Sequence, residues 1–230
     1  MPAMADAQNV TIATEGEANL SGLWLKPAAA RACLVLAHGA GAGMAHKSMA
    51  AIAGGLADRG IATLRYQFPY MERGGKRPDP PAVAHAAVRA AVAEAGRLAG
   101  DLLLFAGGKS FGGRMTSQAQ AIRPLSGVRG LVFFAFPLHP AGKPSVDRAE
   151  HLSKVVVPML FLQGTRDALA SLGLLEPVVA ELGTRATLVL AQDADHSFHV
   201  AKGAKTRDAE VLGELLDSAA HWMEERRAAT

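Results

Sequence analysis

The sequence predicts an α/β fold in which a mostly parallel sheet of eight strands carries helices on both faces. Short apolar segments alternate with longer helical segments along the chain, which is the pattern of parallel strands joined by crossover helices. Two N-terminal segments differ, because polar and apolar residues alternate in them. Half of the 230 residues are hydrophobic, so the chain can bury the core of a sizeable globular domain.

The first two predicted strands, residues 9–14 and 20–27, are expected to form a half-exposed antiparallel hairpin. Their alternating polarity is typical of strands with one face on the core and one face in water. A Glu-Gly turn region separates them, which favours a direct return of the chain.

Six further strands are more continuously apolar, as strands buried on both faces are. They are predicted at residues 32–37, 61–66, 101–106, 131–136, 157–163 and 186–191. Helices are predicted between and after them at residues 47–58, 81–99, 112–122, 172–182 and 206–227. Pro80 and Pro81 stand at the start of the second helix, where proline is tolerated.

Nothing in the chain indicates a second domain. It has no internal repeat, low-complexity tract or convincing linker. The largest irregular insertion, residues 137–154, is too short for a folded lid. We therefore predict one domain over residues 1–230, without a large cap.

Charge argues against a nucleic-acid partner. The formal net charge is only +3, whereas nucleic-acid binding proteins carry a concentrated basic face. The short basic cluster Arg73, Lys76 and Arg77 lacks interleaved aromatic residues. It is expected to be a solvated loop.

The cysteine count and the N-terminal composition bear on location. Cys33 is the only cysteine, which excludes an internal disulfide framework and a cysteine-based metal cluster. The N-terminal residues lack the basic and apolar regions of a signal peptide, and no uninterrupted apolar stretch is long enough to span a bilayer. We expect no membrane association and a cytoplasmic location.

Two motifs overlap in "FAGGKSFGGRM", residues 105–115. Gly108, Lys109 and Ser110 match the end of a phosphate-binding P-loop. That motif needs a glycine five positions before Gly108, where the chain can turn around the phosphates. Leu103 stands there, inside an apolar strand, and this strand is the fifth rather than the first. The P-loop interpretation is therefore rejected.

The same stretch matches a G-x-S-x-G nucleophile elbow, a sharp turn from strand to helix with the serine at its centre. Gly108 and Gly112 flank Ser110 at the two positions where small residues let strand and helix approach closely. A glycine-rich turn with an incidental serine is the alternative. Its place after an apolar strand and before a helix favours the elbow, with Ser110 as nucleophile.

A serine nucleophile needs a base and an orienting carboxylate. In the order serine, acid, histidine, Asp167 follows the strand at 157–163 and His196 follows the strand at 186–191. Three residues compete for these roles: Asp193, Asp195 and His199. The two aspartates lie on the histidine's own loop and His199 lies further along it, so we prefer Asp167 and His196.

The reaction also needs backbone amides to bind the developing oxyanion. The residue after the nucleophile, Phe111, should supply one of them. The loop "HGAGAGM" after the third strand should supply the other, from Ala40 or, alternatively, Gly41. His38 at the start of this loop is expected to brace it by hydrogen bonding.

Four motifs together resemble the α/β-hydrolases in their small, capless form related to dienelactone hydrolases. They are "HGAGAG", "GKSFGG", "LFLQGTRD" and "DADHSF". The segment "RYQFPYMERGGKRPDPP" is similar to a branch of predicted hydrolases that includes testis-expressed-protein relatives. The resemblance implies a Ser110–Asp167–His196 triad, backbone donors near Ala40 and Phe111, and no metal or organic cofactor. Dienelactone hydrolases carry cysteine at the elbow, so Ser110 favours ordinary carboxylic esters.

Residues around the predicted site suggest two properties of the substrate. An apolar acyl pocket could be lined by Met44, Tyr70, Met71, Phe111, Phe136 and Phe198, although several of these are equally well explained as core. Cations near the nucleophile could favour an acidic substrate, although exposed loop residues are the simpler interpretation. These cations are Lys109, Arg114, Arg65, Arg73, Lys76 and Arg77.

The predicted function is that of a serine hydrolase, an esterase acting on a small-molecule acyl substrate through an acyl-enzyme. An acyltransferase or perhydrolase would use the same triad. A non-catalytic binding or scaffold protein on a hydrolase fold is the alternative from another class, and an intact triad argues against it. The sequence leaves the oligomeric state open.

Overall fold

One sheet of eight strands organises the chain, in the order β1-β2-β4-β3-β5-β6-β7-β8. The computed structural model describes residues 6–14, 18–201 and 207–228. The strands are β1 Gln8–Ile12, β2 Leu20–Leu25, β3 Ala32–Ala37, β4 Ile61–Tyr66, β5 Leu103–Lys109, β6 Val128–Phe134, β7 Met159–Gly164 and β8 Ala186–Ala191. The predicted α/β fold with eight strands is confirmed.

The two N-terminal strands pair antiparallel, as their alternating polarity predicted, and the structure places them at one edge of the sheet. β1 pairs antiparallel with β2, and β2 pairs antiparallel with β4. All other pairings are parallel. The turn of the hairpin, residues 15–17, lies outside the described residues. Strands β3, β4 and β7 are buried along their whole length, as their continuous apolar sequences predicted.

Helices cover both faces of the sheet. They are α1 Lys47–Asp58, α2 Pro69–Glu72, α3 Pro81–Ala99, α4 Phe111–Ile122, α5 Leu172–Leu182 and α6 Asp208–Ala228. Core residues of α3, α4 and α5 pack on one face of the sheet, while those of α1 and α6 pack on the other. Along β3, Cys33 and Val35 point to the first face, and Leu34 and Leu36 point to the second.

Two strands differ from their predicted bounds at the edge where the loops gather. β5 continues through Gly107 to Lys109 instead of ending at Ala106. A Cβ atom on Gly107 would lie 1.8 Å from the Val132 carbonyl oxygen, so the ladder with β6 continues because this residue has no side chain. β6 ends at Phe134 because Ala135 turns into the left-handed region at φ 57°.

Three short helical elements were not predicted, one of them the 3₁₀ turn Gly183–Arg185 directly before β8. Another is α2, directly after β4. The third is a 3₁₀ helix, Asp147–Lys154, which occupies the end of the insertion predicted as irregular. The described insertion contains no cap domain. The predicted start of the last helix, residue 206, lies outside the described residues.

The parallel strands place four connecting loops at one edge of the sheet, because parallel strands all end on the same side. The loops after β3, β5, β7 and β8 carry the residues selected from the sequence. In the described ranges, none of the helices is both long enough and apolar enough to cross a membrane.

Candidate active site

Ser110 lies in the sharp turn between β5 and α4. Its backbone has φ 50° and ψ −117°, a conformation that costs a residue with a side chain on the order of 1–3 kcal/mol. Its amide is held by the Phe134 carbonyl at 3.0 Å. At Gly112, a Cβ atom would lie 2.6 Å from the backbone of Ala37 and of His38, so the helix can pack against the end of β3 only through a glycine.

The structure brings the three predicted triad residues together. His196 Nε2 lies 2.8 Å from Ser110 Oγ, and His196 Nδ1 lies 2.7 Å from Asp167 Oδ2. The Asp167 side chain is fully buried, while that of His196 is 23% exposed. The imidazole thus sits between a buried carboxylate and a hydroxyl that solvent can approach.

Asp167 is held by two further hydrogen bonds. The Leu169 amide donates to Oδ1 at 2.7 Å, and the Gln163 side-chain amide donates to Oδ2 at 2.5 Å. These bonds fix the carboxylate so that it accepts the Nδ1 proton of His196, which leaves Nε2 free to accept the serine proton. Sequence reasoning missed Gln163. Its signal was a polar side chain at the end of the otherwise apolar strand β7.

The competing residues shape the histidine loop. Asp195 Oδ1 accepts hydrogen bonds from the amides of Ser197 and His199, at 2.7 and 2.9 Å. The Asp193 amide donates to Thr165 Oγ1, and the His199 side chain is 61% exposed. This arrangement agrees with the preference for Asp167 and His196.

Two of the three amides considered for the oxyanion are free. Within the described parts of the chain, the amides of Ala40 and Phe111 have no hydrogen-bond partner. The Gly41 amide donates to the Tyr70 hydroxyl at 3.1 Å. Ala40 and Phe111 are therefore the amides available to a substrate, and Gly41 is engaged.

His38 braces the loop that carries Ala40. The Phe68 amide donates to His38 Nε2 at 3.1 Å, so the ring proton resides on Nδ1, which donates to the Gly39 carbonyl at 2.8 Å. Burial lowers the pKa of His38, which keeps the ring neutral. In a trans peptide the carbonyl and the next amide point in opposite directions. Holding Gly39 O therefore also fixes the direction of the Ala40 N–H.

Lys109 is tied to the histidine loop. Its ammonium donates to the His196 carbonyl at 2.8 Å and lies 4.8 Å from the centre of the Phe198 ring. Burial lowers the pKa of Lys109 to about 8, and the nearby carboxylates of Asp167 and Asp195 oppose this shift.

Two of the other basic residues near the sheet edge, Arg65 and Arg73, are also engaged. Arg65 is buried and donates to the Met44 carbonyl at 3.1 Å, which supports the loop after β3. Arg73 pairs with Asp79 at 2.5 Å. Lys76 and Arg77 are exposed on their loop, as the composition of that stretch predicted.

The residues proposed for an acyl pocket differ in burial. Tyr70, Phe136 and Phe198 are buried, and Met44 and Met71 are half-buried. Phe136 packs against the rings of Phe133 and Phe161. The acyl pocket stays a prediction.

A groove of about 680 Å³ lies away from the triad, between α3 and the N-terminal hairpin. Its lining includes Leu20, Val83, Arg89 and Arg123. None of the residues proposed for the acyl pocket lines it. Among the residues that the structure describes, no group of three or more His, Cys, Asp or Glu side chains is placed to hold a metal ion.

Comparison with known proteins gives the same fold. A family model described as an alpha/beta hydrolase domain matches residues 30–224. The structure is similar to dienelactone hydrolase from Anabaena variabilis, with 21% identity, a TM-score of 0.77, and coverage of 96% of this chain and 98% of that one.

Two further solved structures are similar over most of their length. A serine hydrolase without a lid from Xanthomonas campestris has 20% identity, a TM-score of 0.74 and 96% coverage of both chains. Est1E from Butyrivibrio proteoclasticus, with ferulic acid bound, has 16% identity, a TM-score of 0.74, and coverage of 95% of this chain and 99% of that one. The fold and the family match confirm the resemblance seen in the four motifs. The chain belongs to the α/β-hydrolase family.

Proposed function

We propose that this hydrolase is a serine esterase, which cleaves a carboxylic ester or a related small acyl substrate through an acyl-enzyme. The observation that carries the proposal is the continuous chain of hydrogen bonds from Ser110 through His196 to Asp167. The strained backbone of Ser110 and the free amides of Ala40 and Phe111 support it.

In the first half of the reaction, Ser110 Oγ attacks the ester carbonyl and its proton passes to His196 Nε2. The carbonyl oxygen becomes negative and is bound by the amides of Ala40 and Phe111. One such donor contributes roughly 3 kcal/mol to lowering the barrier. The intermediate collapses by breaking the bond to the alcohol oxygen, which takes the proton from His196. The alcohol leaves and the acyl group stays on Ser110.

In the second half, water replaces the alcohol. His196 Nε2 takes a proton from water as its oxygen attacks the acyl carbon. Collapse of this intermediate breaks the bond to Ser110 Oγ, which recovers its proton from His196, and the carboxylic acid is released. Asp167 stabilises the imidazolium that forms in each half without taking its proton.

Hydrolysis is favoured over acyl transfer because water can reach the acyl-enzyme. The His196 side chain is 23% exposed, and the described chain has no cap domain over the triad. Transfer to another acceptor would require a site that excludes water from this imidazole.

Labelling with a fluorophosphonate tests the nucleophile. We expect the reagent to modify Ser110 and the S110A variant to remain unlabelled.

With p-nitrophenyl esters of increasing acyl length, D167N should lower kcat on the order of 10⁴-fold, because the imidazole then adopts the wrong tautomer.

A matched aspartate provides the control for that variant. Asp193 lies on the histidine loop and is exposed, so D193N should keep the wild-type kcat. Folded wild-type protein that is not labelled at Ser110 would refute the proposal. Labelling that persists undiminished in H196A would refute the role of that histidine.

A further inference from the structure

Arg114 and Arg148 are half-buried arginines without an acceptor. In the described ranges, no oxygen accepts a hydrogen bond from either guanidinium and no carboxylate forms an ion pair with either. Arg114 Nε is fully buried and unpaired. By contrast, Arg59 is bonded to Asp217 and Arg97 is bonded to Glu94. A buried guanidinium nitrogen without an acceptor is unfavourable, so Arg114 Nε is available for an acceptor that the described residues do not supply.

The two arginines come from different elements that are fixed against each other. Arg114 lies on α4 and Arg148 lies on the 3₁₀ helix of the insertion. The Ser117 hydroxyl donates to the Arg114 carbonyl and lies 2.7 Å from His151 Nε2, which joins the two elements. The two elements that carry the arginines are therefore held against each other by tertiary structure.

The surroundings of the pair are electropositive. Arg148 and burial both lower the pKa of Arg114. Burial, Arg114 and His85 together lower the pKa of His151 to about 4, so this ring is neutral at pH 7. In the described ranges neither guanidinium forms an ion pair, although Asp147 and Glu150 lie on the same 3₁₀ helix as Arg148.

Arg114 is the member of the pair that lies next to the proposed reaction centre. The Arg114 amide donates to the Ser110 carbonyl at 3.1 Å, which puts Arg114 one helical turn beyond the nucleophile. Its guanidinium carbon is 6.0 Å from the centre of the Phe111 ring. Phe111 carries one of the two amides assigned to the oxyanion.

We propose that Arg114 and Arg148 bind an anionic group of the substrate, so that the enzyme acts on small esters that carry a carboxylate or a phosphate. The inference rests on the proposed function for its connection to Ser110. Two guanidinium groups offer planar forks of N–H donors, which match the oxygens of a carboxylate or a phosphate. The modest net charge of +3 favours a small anion over a polyanion.

Binding can be measured without turnover in the S110A variant, by isothermal titration calorimetry. Monomethyl succinate should bind at least about tenfold more tightly than dimethyl succinate, the difference expected of one charge-assisted hydrogen bond. R114Q and R148Q, each combined with S110A, should abolish that preference. Inorganic phosphate, titrated in the same way, shows whether a tetrahedral anion is also accepted.

Arg77 provides a matched control, since it is exposed on the loop after β4. R77Q combined with S110A should retain the preference. R114K keeps the positive charge and the aliphatic stem but loses the planar set of guanidinium N–H donors. It should retain part of the preference for the monoester. Circular dichroism identifies any variant that fails to fold.

Binding of either anion that depends on both arginines supports the site and identifies the anion that it takes. Equal binding of the monoester and the diester, with no arginine-dependent binding of phosphate, would overturn it. Because S110A does not turn over, this result is independent of the esterase assay. If the chain binds the anion but is not labelled at Ser110, the anion site is supported and the proposed esterase function is refuted.

Kinetics of the wild-type chain give a second measurement. The ratio of kcat/KM for p-nitrophenyl hemisuccinate to that for p-nitrophenyl butyrate should fall about tenfold in R114Q and in R148Q. A ratio that both variants leave unchanged would contradict the proposal even where the esterase itself is active.

Discussion

Lys109 occupies the variable position of the nucleophile motif and acts on the histidine loop. Its ammonium holds the His196 carbonyl and contacts the Phe198 ring. Because it is adjacent to Ser110 in the chain, this bond links the position of the base to that of the nucleophile. We expect Lys109 to position His196 rather than to bind substrate.

K109M is expected to lower kcat of the esterase about tenfold, with little change in KM. Losing the bond to the His196 carbonyl lets the loop drift, and small misplacements of a catalytic group reduce rate rather than binding. Steady-state kinetics with a neutral p-nitrophenyl ester measure both constants. K76M, at an exposed lysine, is the control and should match the wild type. A higher KM for anionic esters alone, with kcat unchanged, would instead identify Lys109 as a substrate contact.

Lys109 should also make stability depend on pH in a particular direction. Its pKa is about 8 in the folded chain, against an ordinary lysine value of 10.5. Between these values the unfolded chain binds more protons, so the free energy of unfolding rises with pH. The difference in unfolding free energy, wild type minus K109M, should be constant below pH 8, rise from there to about pH 10.5, and then level off. Urea denaturation across this range measures it, and a flat difference would mean that the lysine is not desolvated.

At the scale of elements, the site depends on the close contact between the end of β3, the turn after β5 and the segment after β4. His38 and Tyr70 tie the loop after β3 to that segment, through the Phe68 amide and the Gly41 amide. Gly112 lets α4 begin against the backbone of the same loop. The two amides proposed for the oxyanion are thus set by contacts between elements.

G112A is expected to destabilise the fold by about 1–3 kcal/mol, the usual range for overpacking. The added methyl group would overlap the backbone of Ala37 and of His38 at 2.6 Å, and backbone atoms cannot rotate away. G54A is the matched control, because a Cβ atom there meets nothing within 4 Å. Because Gly54 lies in the middle of α1, G54A should raise the free energy of unfolding by roughly 0.5–1 kcal/mol. Urea denaturation compares the two, and equal stability of G112A and the wild type would show that the packing at the turn adjusts freely.

At the scale of the whole molecule, the sheet separates two hydrophobic clusters, and each contains one of the two tryptophans. Trp24 of β2 belongs to the cluster on the α3 face, and Trp222 of α6 belongs to the cluster on the α1 face. Both clusters share the same strands, with alternate side chains pointing to opposite sides. Unfolding of these strands would therefore remove the packing surface of both faces at once.

This arrangement predicts cooperative unfolding of a single domain. W222F leaves Trp24 as the fluorescent reporter of one face, and W24F leaves Trp222 as the reporter of the other. Within each variant, the urea midpoint from fluorescence should coincide with that from circular dichroism, as expected of a single transition. A fluorescence midpoint that separates from the circular dichroism midpoint in either variant would indicate two units instead of one.

Local patterns were sufficient for much of the fold and for the triad. The bounds of α1, α3 and α5 follow from helical segments flanked by turn residues and agree with the structure. Ser110, Asp167 and His196 could be selected because a parallel sheet places successive loops at one edge. β5 and β6 could not be delimited, since their ends depend on the close approach of Val132 to Gly107 and on the left-handed Ala135.

The sequence by itself determined the α/β fold class, the order of its elements and the candidate nucleophile, acid and base, because these depend on periodicity and on position along the chain. Only the tertiary structure distinguished Ala40 from Gly41, since the Tyr70 hydroxyl that engages Gly41 arrives from another element. It also showed different surroundings for two basic residues: Lys109 is hydrogen-bonded to the His196 carbonyl, and Arg114 Nε has no acceptor among the described residues. Hydrogen bonds and charges act across space between residues distant in sequence, and local patterns carry no information about those distances.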